Sequence, residues 1–160
     1  MTETLKPQDL VGKPAPIFSM QGNTNKTISL ADYIGKKIVL YFYPKDMTPG
    51  CTVQAKDFTC LYEKYQKLGV QIIGVSKDSP ERHDKFIAKH NMPYDLISDD
   101  ENSTLCKAYG IWQMKKFLGK EFMGIVRSTI IINEEGIVER VYSPVKTKKH
   151  AEIVLEDLKS

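Results

Sequence analysis

Cysteine is scarce in this chain. Cys51, Cys60 and Cys106 are an odd number, and no two stand in C-x-x-C spacing. That excludes a disulfide framework. The histidines, His83, His90 and His150, are scattered without ligand spacing, so a zinc-type site has no support. Apolar runs reach only about six residues, far short of the roughly 20 that span a bilayer. Met1 to Leu10 is polar and lacks the apolar core of a signal peptide. No glycine-rich phosphate loop follows a strand-like segment, which removes the usual nucleotide signature. The formal net charge of +3 is too mild to argue for nucleic acid. The basic run Lys146 to Lys149, broken only by Thr147, reads as a solvated helix start. These absences point to a protein of the reducing cytoplasm, with neither membrane nor nucleic acid as partner.

What is present is ordinary for a globular chain. Of its 160 residues, 41% are hydrophobic and 27% charged. A chain of this size buries about 70% of its unfolded surface without disulfides or metals. One domain over residues 1–160 is expected, with 1–14 as an irregular arm. There is no internal repeat, low-complexity tract or long linker.

Pro16 to Ile28 carries Gly22-Asn23 between short extended pieces, which reads as a hairpin. Ser29 can cap the one-turn helix Leu30 to Ile34, which Gly35 stops. Lys37 to Tyr43 is a near-continuous apolar run, the pattern of a central strand buried on both faces. From Cys51 to Leu68, the residues Phe58, Leu61, Tyr62, Tyr65 and Leu68 recur at helical spacing, and Gly69 ends the segment. Val70 to Val75 is a second buried strand. Strand, long helix, strand makes a βαβ crossover with parallel pairing and right-handed connection. A helix over Pro80 to His90, a strand over Tyr94 to Ile97 and a short helix over Asn102 to Tyr109 follow. Two strands, Arg127 to Ile132 and Ile137 to Tyr142, flank the turn Asn133-Glu134-Glu135-Gly136. Lys148 to Leu158 is an amphipathic helix with Ile153, Val154 and Leu158 on its apolar side. The sum is an α/β class fold, a central mixed sheet flanked by helices.

The segment Pro44-Lys45-Asp46-Met47-Thr48-Pro49-Gly50-Cys51 joins the central strand to the long helix. Thr48 suits the N-cap and Pro49 the first helical position, where its missing donor costs nothing. Cys51 then falls in the first turn, where orphan N–H groups and the positive end of the helix dipole favour a thiolate. Open α/β sheets place their sites at this carboxyl edge. Cys51 is the candidate nucleophile. By residue type alone its neighbours read more plainly: Thr48 as an N-cap, Pro44 as a strand stop, Arg127 as a solvated charge opening a strand.

Pro44, Thr48 and Cys51 match Pro-x-x-x-Thr-x-x-Cys, and the chain here resembles the peroxiredoxins. The longer string Tyr41 to Thr52 is similar to the peroxiredoxin Q, or bacterioferritin comigratory protein, branch. Ile73-Gly74-Val75-Ser76, Tyr109-Gly110-Ile111-Trp112, Arg127 and the Lys146 to His150 region extend the similarity over roughly residues 9 to 158. The resemblance implies a thioredoxin-like fold and a thiol-dependent peroxidase, acting on hydrogen peroxide and organic hydroperoxides through a sulfenic acid at Cys51. It implies that Thr48, the N–H groups of Gly50 and Cys51, and Arg127 serve the departing oxygen. It further implies that Pro44 screens the thiolate and that Gln54 helps orient Arg127. No metal, haem or flavin is implied. Thioredoxin, glutaredoxin or a small thiol is the expected reductant, and a monomer or weak homodimer the expected state.

One departure stands out. Many members of the branch carry a second cysteine five residues after the first, where this chain has Lys56. Cys60, nine residues on, is the candidate resolving thiol. Along an intact helix that step is ~13.5 Å, on nearly the opposite face, whereas a disulfide needs Cα atoms within about 7 Å. Reduction by an external thiol therefore ranks first, a Cys51–Cys60 disulfide second, and Cys106, read as a small buried hydrophobe, last. Two other classes compete. A cysteine hydrolase needs a base from His83, His90 or His150. A non-enzymatic redox sensor or holdase would use the thiol only as a switch.

Overall fold

The computed structural model describes residues 5–159. Its centre is a five-stranded sheet whose strands lie side by side in the order Asp95–Ser98, Val70–Ser76, Lys37–Phe42, Ser128–Ile132, Val138–Tyr142. The strands are β3 (Lys37–Phe42), β4 (Val70–Ser76), β5 (Asp95–Ser98), β8 (Ser128–Ile132) and β9 (Val138–Tyr142). β3 runs parallel to β4, and β4 to β5, whereas β8 is antiparallel to both β3 and β9. The sheet is therefore mixed, as the sequence pattern predicts.

Alternation along β3 divides the core. Val39, Tyr41 and Tyr43 pack with Phe58 and Tyr65 of α1 (Pro49–Lys67), Phe86 of α2 (Pro80–His90) and Val154 of α4 (His150–Lys159). Ile38, Leu40 and Phe42 face the other way, onto Leu105 and Cys106 of α3 (Thr104–Ala108). A strand buried on both faces needs no polar alternation, which is why its sequence is a continuous apolar run. Among the described residues no helix is long and apolar enough to cross a membrane.

The hairpin predicted around Gly22-Asn23 is present as β1 (Ser19–Gln21) and β2 (Thr27–Ser29). The left-handed turn residues, however, are Thr24 and Asn25, with φ of 58° and 54°. Gly22 serves close approach instead: a Cβ there would stand 2.6 Å from the Leu96 carbonyl oxygen. Asn23 then accepts from the Leu96 N–H at 3.0 Å, tying the hairpin to β5.

Three expectations need correction. The arm over 1–14 is only partly irregular: Pro7–Leu10 forms a 3-10 turn with Leu10 in the core. The Gly12 N–H donates to the Val138 carbonyl and the Val138 N–H to that of Lys13, so the arm edges β9; residues 1–4 lie outside the described part. Ile153 is exposed, and Leu155 takes the buried position beside Val154. Finally, residues 111–126, read as no element, form a hairpin of β6 (Trp112–Phe117) and β7 (Lys120–Ile125). Its outer part is solvated, and its turn uses Leu118 and Gly119 at positive φ rather than an Asn-Gly pair. Neither periodicity nor turn chemistry announces it.

Candidate active site

β3 ends at Phe42, and the chain leaves the sheet through buried Tyr43 and the exposed Pro44 before α1 begins at Pro49. Thr48 occupies the N-cap position with extended backbone angles. Its hydroxyl does not cap the helix; Oγ1 donates to the Lys45 carbonyl at 2.8 Å. The proton is thus committed within the loop, and the oxygen's lone pairs remain for another partner.

Cys51 lies in the first turn of α1 and is only 2% exposed, packed in the cluster that holds Val39, Tyr43 and Ala55. Arg127, immediately before β8, reaches across from the antiparallel side of the sheet. Its Nη2 donates to Cys51 Sγ at 3.2 Å, and its Nη1 donates to Gln54 Oε1 at 2.7 Å. Gln54 is one helical turn after Cys51, so both present one face of α1 to one guanidinium. The Arg127 carbonyl accepts from Val145 N–H at 2.9 Å, which fixes its backbone. Gly50 lies under the same group: a Cβ there would meet Nη2 at 3.4 Å.

Gln54 is 1% exposed, and its Nε2 has no hydrogen-bond partner among the described residues. The amide orientation follows from Arg127, which needs an acceptor facing it. The structure thus brings Gly50, Cys51, Gln54 and Arg127 together, with Thr48 at the N-cap before them and Pro44 exposed earlier in the loop. Cys60 is apart: it is exposed on α1, which runs unbroken past both thiols, and all three cysteines are free. Cys106 is fully buried, and burial first, then the Asp99 carboxylate, pushes its thiol well up.

The histidines are engaged away from the sulfur. His83 lies between Asp46 and the Ile97 carbonyl, His150 Nε2 is 2.8 Å from Thr129 Oγ1, and His90 packs edge-on to Phe86. A hydrolase reading loses its base. Sequence reasoning passed over the Asp46–His83 pair. Its signal was the spacing of His83 and Phe86, three apart on the buried face of α2. Among the described residues, no group of three or more His, Cys, Asp or Glu is placed to hold a metal ion.

Similarity to known proteins follows the same lines. The sequence profile of the AhpC/TSA family matches residues 11–141. Peroxiredoxin Bcp of Bacillus subtilis is 49% identical over 149 residues, covering 93% of this chain and 94% of the relative. Peroxiredoxin Bcp of Escherichia coli is 38% identical over 148 residues, covering 92% and 94%. Among solved structures, peroxiredoxin Q of Xanthomonas campestris superposes with a TM-score of 0.84 at 39% identity over 89% of each chain. Another structure of that organism's bacterioferritin comigratory protein, described in connection with its alkyl peroxide reduction activity, superposes with a TM-score of 0.84 at 38% identity over 89% of this chain and 90% of its own. Fold, thiol site and sequence together assign the chain to the AhpC/TSA family, in the peroxiredoxin Q/bacterioferritin comigratory protein branch of the thioredoxin-like peroxiredoxins.

Proposed function

We propose that the chain is a thiol-dependent peroxidase whose nucleophile is Cys51. The observation that carries this reading is the 3.2 Å hydrogen bond from Arg127 Nη2 to Cys51 Sγ, made at the start of α1. A guanidinium and a helix N-terminus both place positive charge beside the sulfur, where negative charge is handled as the O–O bond breaks. The sulfur attacks the terminal oxygen of a hydroperoxide and the O–O bond breaks. The oxygen becomes a sulfenic acid, and the departing oxide takes a proton to leave as water or an alcohol. Charge grows on that departing oxygen, so Arg127 and the N–H groups of Gly50 and Cys51 are its donors, each worth ~3 kcal/mol in comparable oxyanion sites. Thr48, its own proton given to Lys45, accepts the O–H of the incoming hydroperoxide. Pro44 screens the sulfur from water, and Gln54 holds Arg127.

A thiol reductant restores the enzyme. Its sulfur attacks the sulfenic sulfur, water leaves, and a second thiol releases the mixed disulfide. Because α1 is continuous from Pro49 to Lys67, an external thiol is the first route: thioredoxin, glutaredoxin or a small thiol. A Cys51–Cys60 disulfide requires the helix start to unwind or a second chain. A single cytoplasmic domain, acting as monomer or weak homodimer, belongs to the same reading.

The test combines peroxide consumption with mass spectrometry after one equivalent of hydrogen peroxide. The parent should turn over with added thiol, and Cys51→Ser should not. A sulfenic adduct at Cys51 in both parent and Cys60→Ser supports external reduction; a disulfide lost only in Cys60→Ser transfers that role to Cys60. Stoichiometric oxidation without turnover would leave a redox switch instead of an enzyme.

A further inference from the structure

Between Pro44 and Thr48, in the loop that leads into α1, one residue is buried. Pro44, Lys45 and Met47 are exposed and Thr48 is half-buried, while Asp46 is 1% exposed. Its carboxylate accepts from Tyr43 OH through Oδ1 and lies 2.7 Å from His83 Nδ1 through Oδ2. His83, fully buried on α2, presents Nε2 to the Ile97 carbonyl at 3.0 Å. A carbonyl only accepts, so Nε2 is the donor to Ile97. The Asp46 N–H donates to Asp78 Oδ2 at 2.7 Å, and Asp78 is itself held by Ser76 Oγ and Arg82 Nε. Asp46 is thus gripped by Tyr43 just after β3, by Asp78 between β4 and α2, and by His83 of α2, which β5 holds in turn.

The next residue explains the need. Met47 has φ of +64° and a side chain 40% exposed. The left-handed region carries a population penalty of about tenfold for a non-glycine residue. Strain of this kind persists only where surrounding structure over-determines it. The turn at Met47 is also what delivers Thr48 to the N-cap position, with its hydroxyl on the Lys45 carbonyl.

We propose that the buried Asp46–His83 pair is a latch whose task is to hold Met47 in its left-handed conformation and so set Thr48 at the N-cap, one turn ahead of Cys51. His83 is on this view a positioning residue, acting through Asp46 and the loop. The idea rests on the peroxidase reading above, and it adds a dependence of that reaction on a helix-borne imidazole. It also predicts a particular rescue. Glycine adopts φ of +64° without penalty, so Met47→Gly should make the latch dispensable, which no general weakening of the core would do.

The experiment measures the rate constant for oxidation by hydrogen peroxide in the parent, His83→Asn, Met47→Gly and the double variant, each with a thermal melt. His83→Asn is expected to slow oxidation about tenfold, Met47→Gly to stay within about twofold of the parent, and the double variant to recover to within about threefold. A His83→Asn protein that reacts at the parental rate overturns the proposal, as does a double variant no faster than His83→Asn. Should His83→Asn fail to fold, Tyr43→Phe, which removes one donor from the same carboxylate and keeps the ring, takes its place with the same two outcomes. A parent that does not consume peroxide at all would instead sink the peroxidase reading, so the two failures are distinguishable.

Discussion

Arg127 divides its guanidinium between Cys51 and Gln54: Nη2 stands 3.2 Å from the sulfur while Nη1 stands 2.7 Å from the amide oxygen. A planar fork presents a separate nitrogen to each acceptor in fixed geometry, whereas lysine offers one nitrogen on a flexible stem. Arg127→Ala should therefore slow oxidation of Cys51 by about 10²–10³, the usual cost of losing one donor to a developing oxyanion. Arg127→Lys should recover only part of that loss, because its charge lacks the fixed two-nitrogen geometry that serves the sulfur and Gln54 together. Stopped-flow mixing with hydrogen peroxide measures each; full recovery by lysine would show that charge alone, without the fork, suffices.

Gln54 sets a second, sharper contrast. Its Nε2 is buried with no partner among the described residues, a cost of about 1–3 kcal/mol. Glutamate has the same shape, removes the orphaned donor and pairs with Arg127. Gln54→Glu should consequently melt at the same temperature or higher. It should nevertheless react about tenfold more slowly at neutral pH, because a carboxylate draws on the positive charge that faces Cys51. Stability and rate moving in opposite directions is the expected signature. A variant that reacts at the parental rate would reduce Gln54 to packing.

The order of these elements was readable from residue patterns because β3 and α1 obey simple rules. A strand buried on both faces is continuously apolar, and a helix with Phe58 and Tyr65 inward shows its period. The Pro44–Thr48–Cys51 spacing located the sulfur, and the resemblance attached Arg127, 76 residues away in sequence. What stayed hidden depends on tertiary contact. Asp46 looks like a loop residue until His83 arrives from α2 to satisfy it. The β6–β7 hairpin, whose Phe117 and Leu118 are exposed, buries too little to show alternation. Ile153 and Leu155 are both apolar, and only the docking of α4 decides that Leu155 goes inward.

The three thiols should separate cleanly under alkylation. Cys60 is exposed, whereas Cys51 is 2% and Cys106 0% exposed. Cys106 is further protected because burial and the Asp99 carboxylate both disfavour its thiolate. A bulky maleimide on the folded, reduced protein should mark Cys60 first and leave Cys106 unmarked until denaturant is added. Prompt labelling of Cys106 would mean that α3 opens, and would return that thiol to consideration as a resolving group.

His150 gives the fold a pH limit of its own. Its ring is buried edge-on to Tyr142 and Phe58, with Nε2 2.8 Å from Thr129 Oγ1. Burial, and secondly the charge of Arg127, lower its pKa from 6.5 to about 4. Between those values the unfolded chain binds a proton that the folded chain refuses, so stability falls as the pH falls through this window. From pH 7 to pH 5 the loss should come to about 2 kcal/mol from this residue alone. Urea denaturation across that range should show the slope in the parent and a shallower one in His150→Gln, which keeps a hydrogen-bonding end but takes up no proton. Equal slopes would mean that the folded protein accommodates the imidazolium, and that Arg127 is not close enough to oppose it. Because the same guanidinium faces Cys51, acid that charges His150 also adds a second cation behind Arg127. Loss of the fold and change in the site should therefore begin together below pH 5.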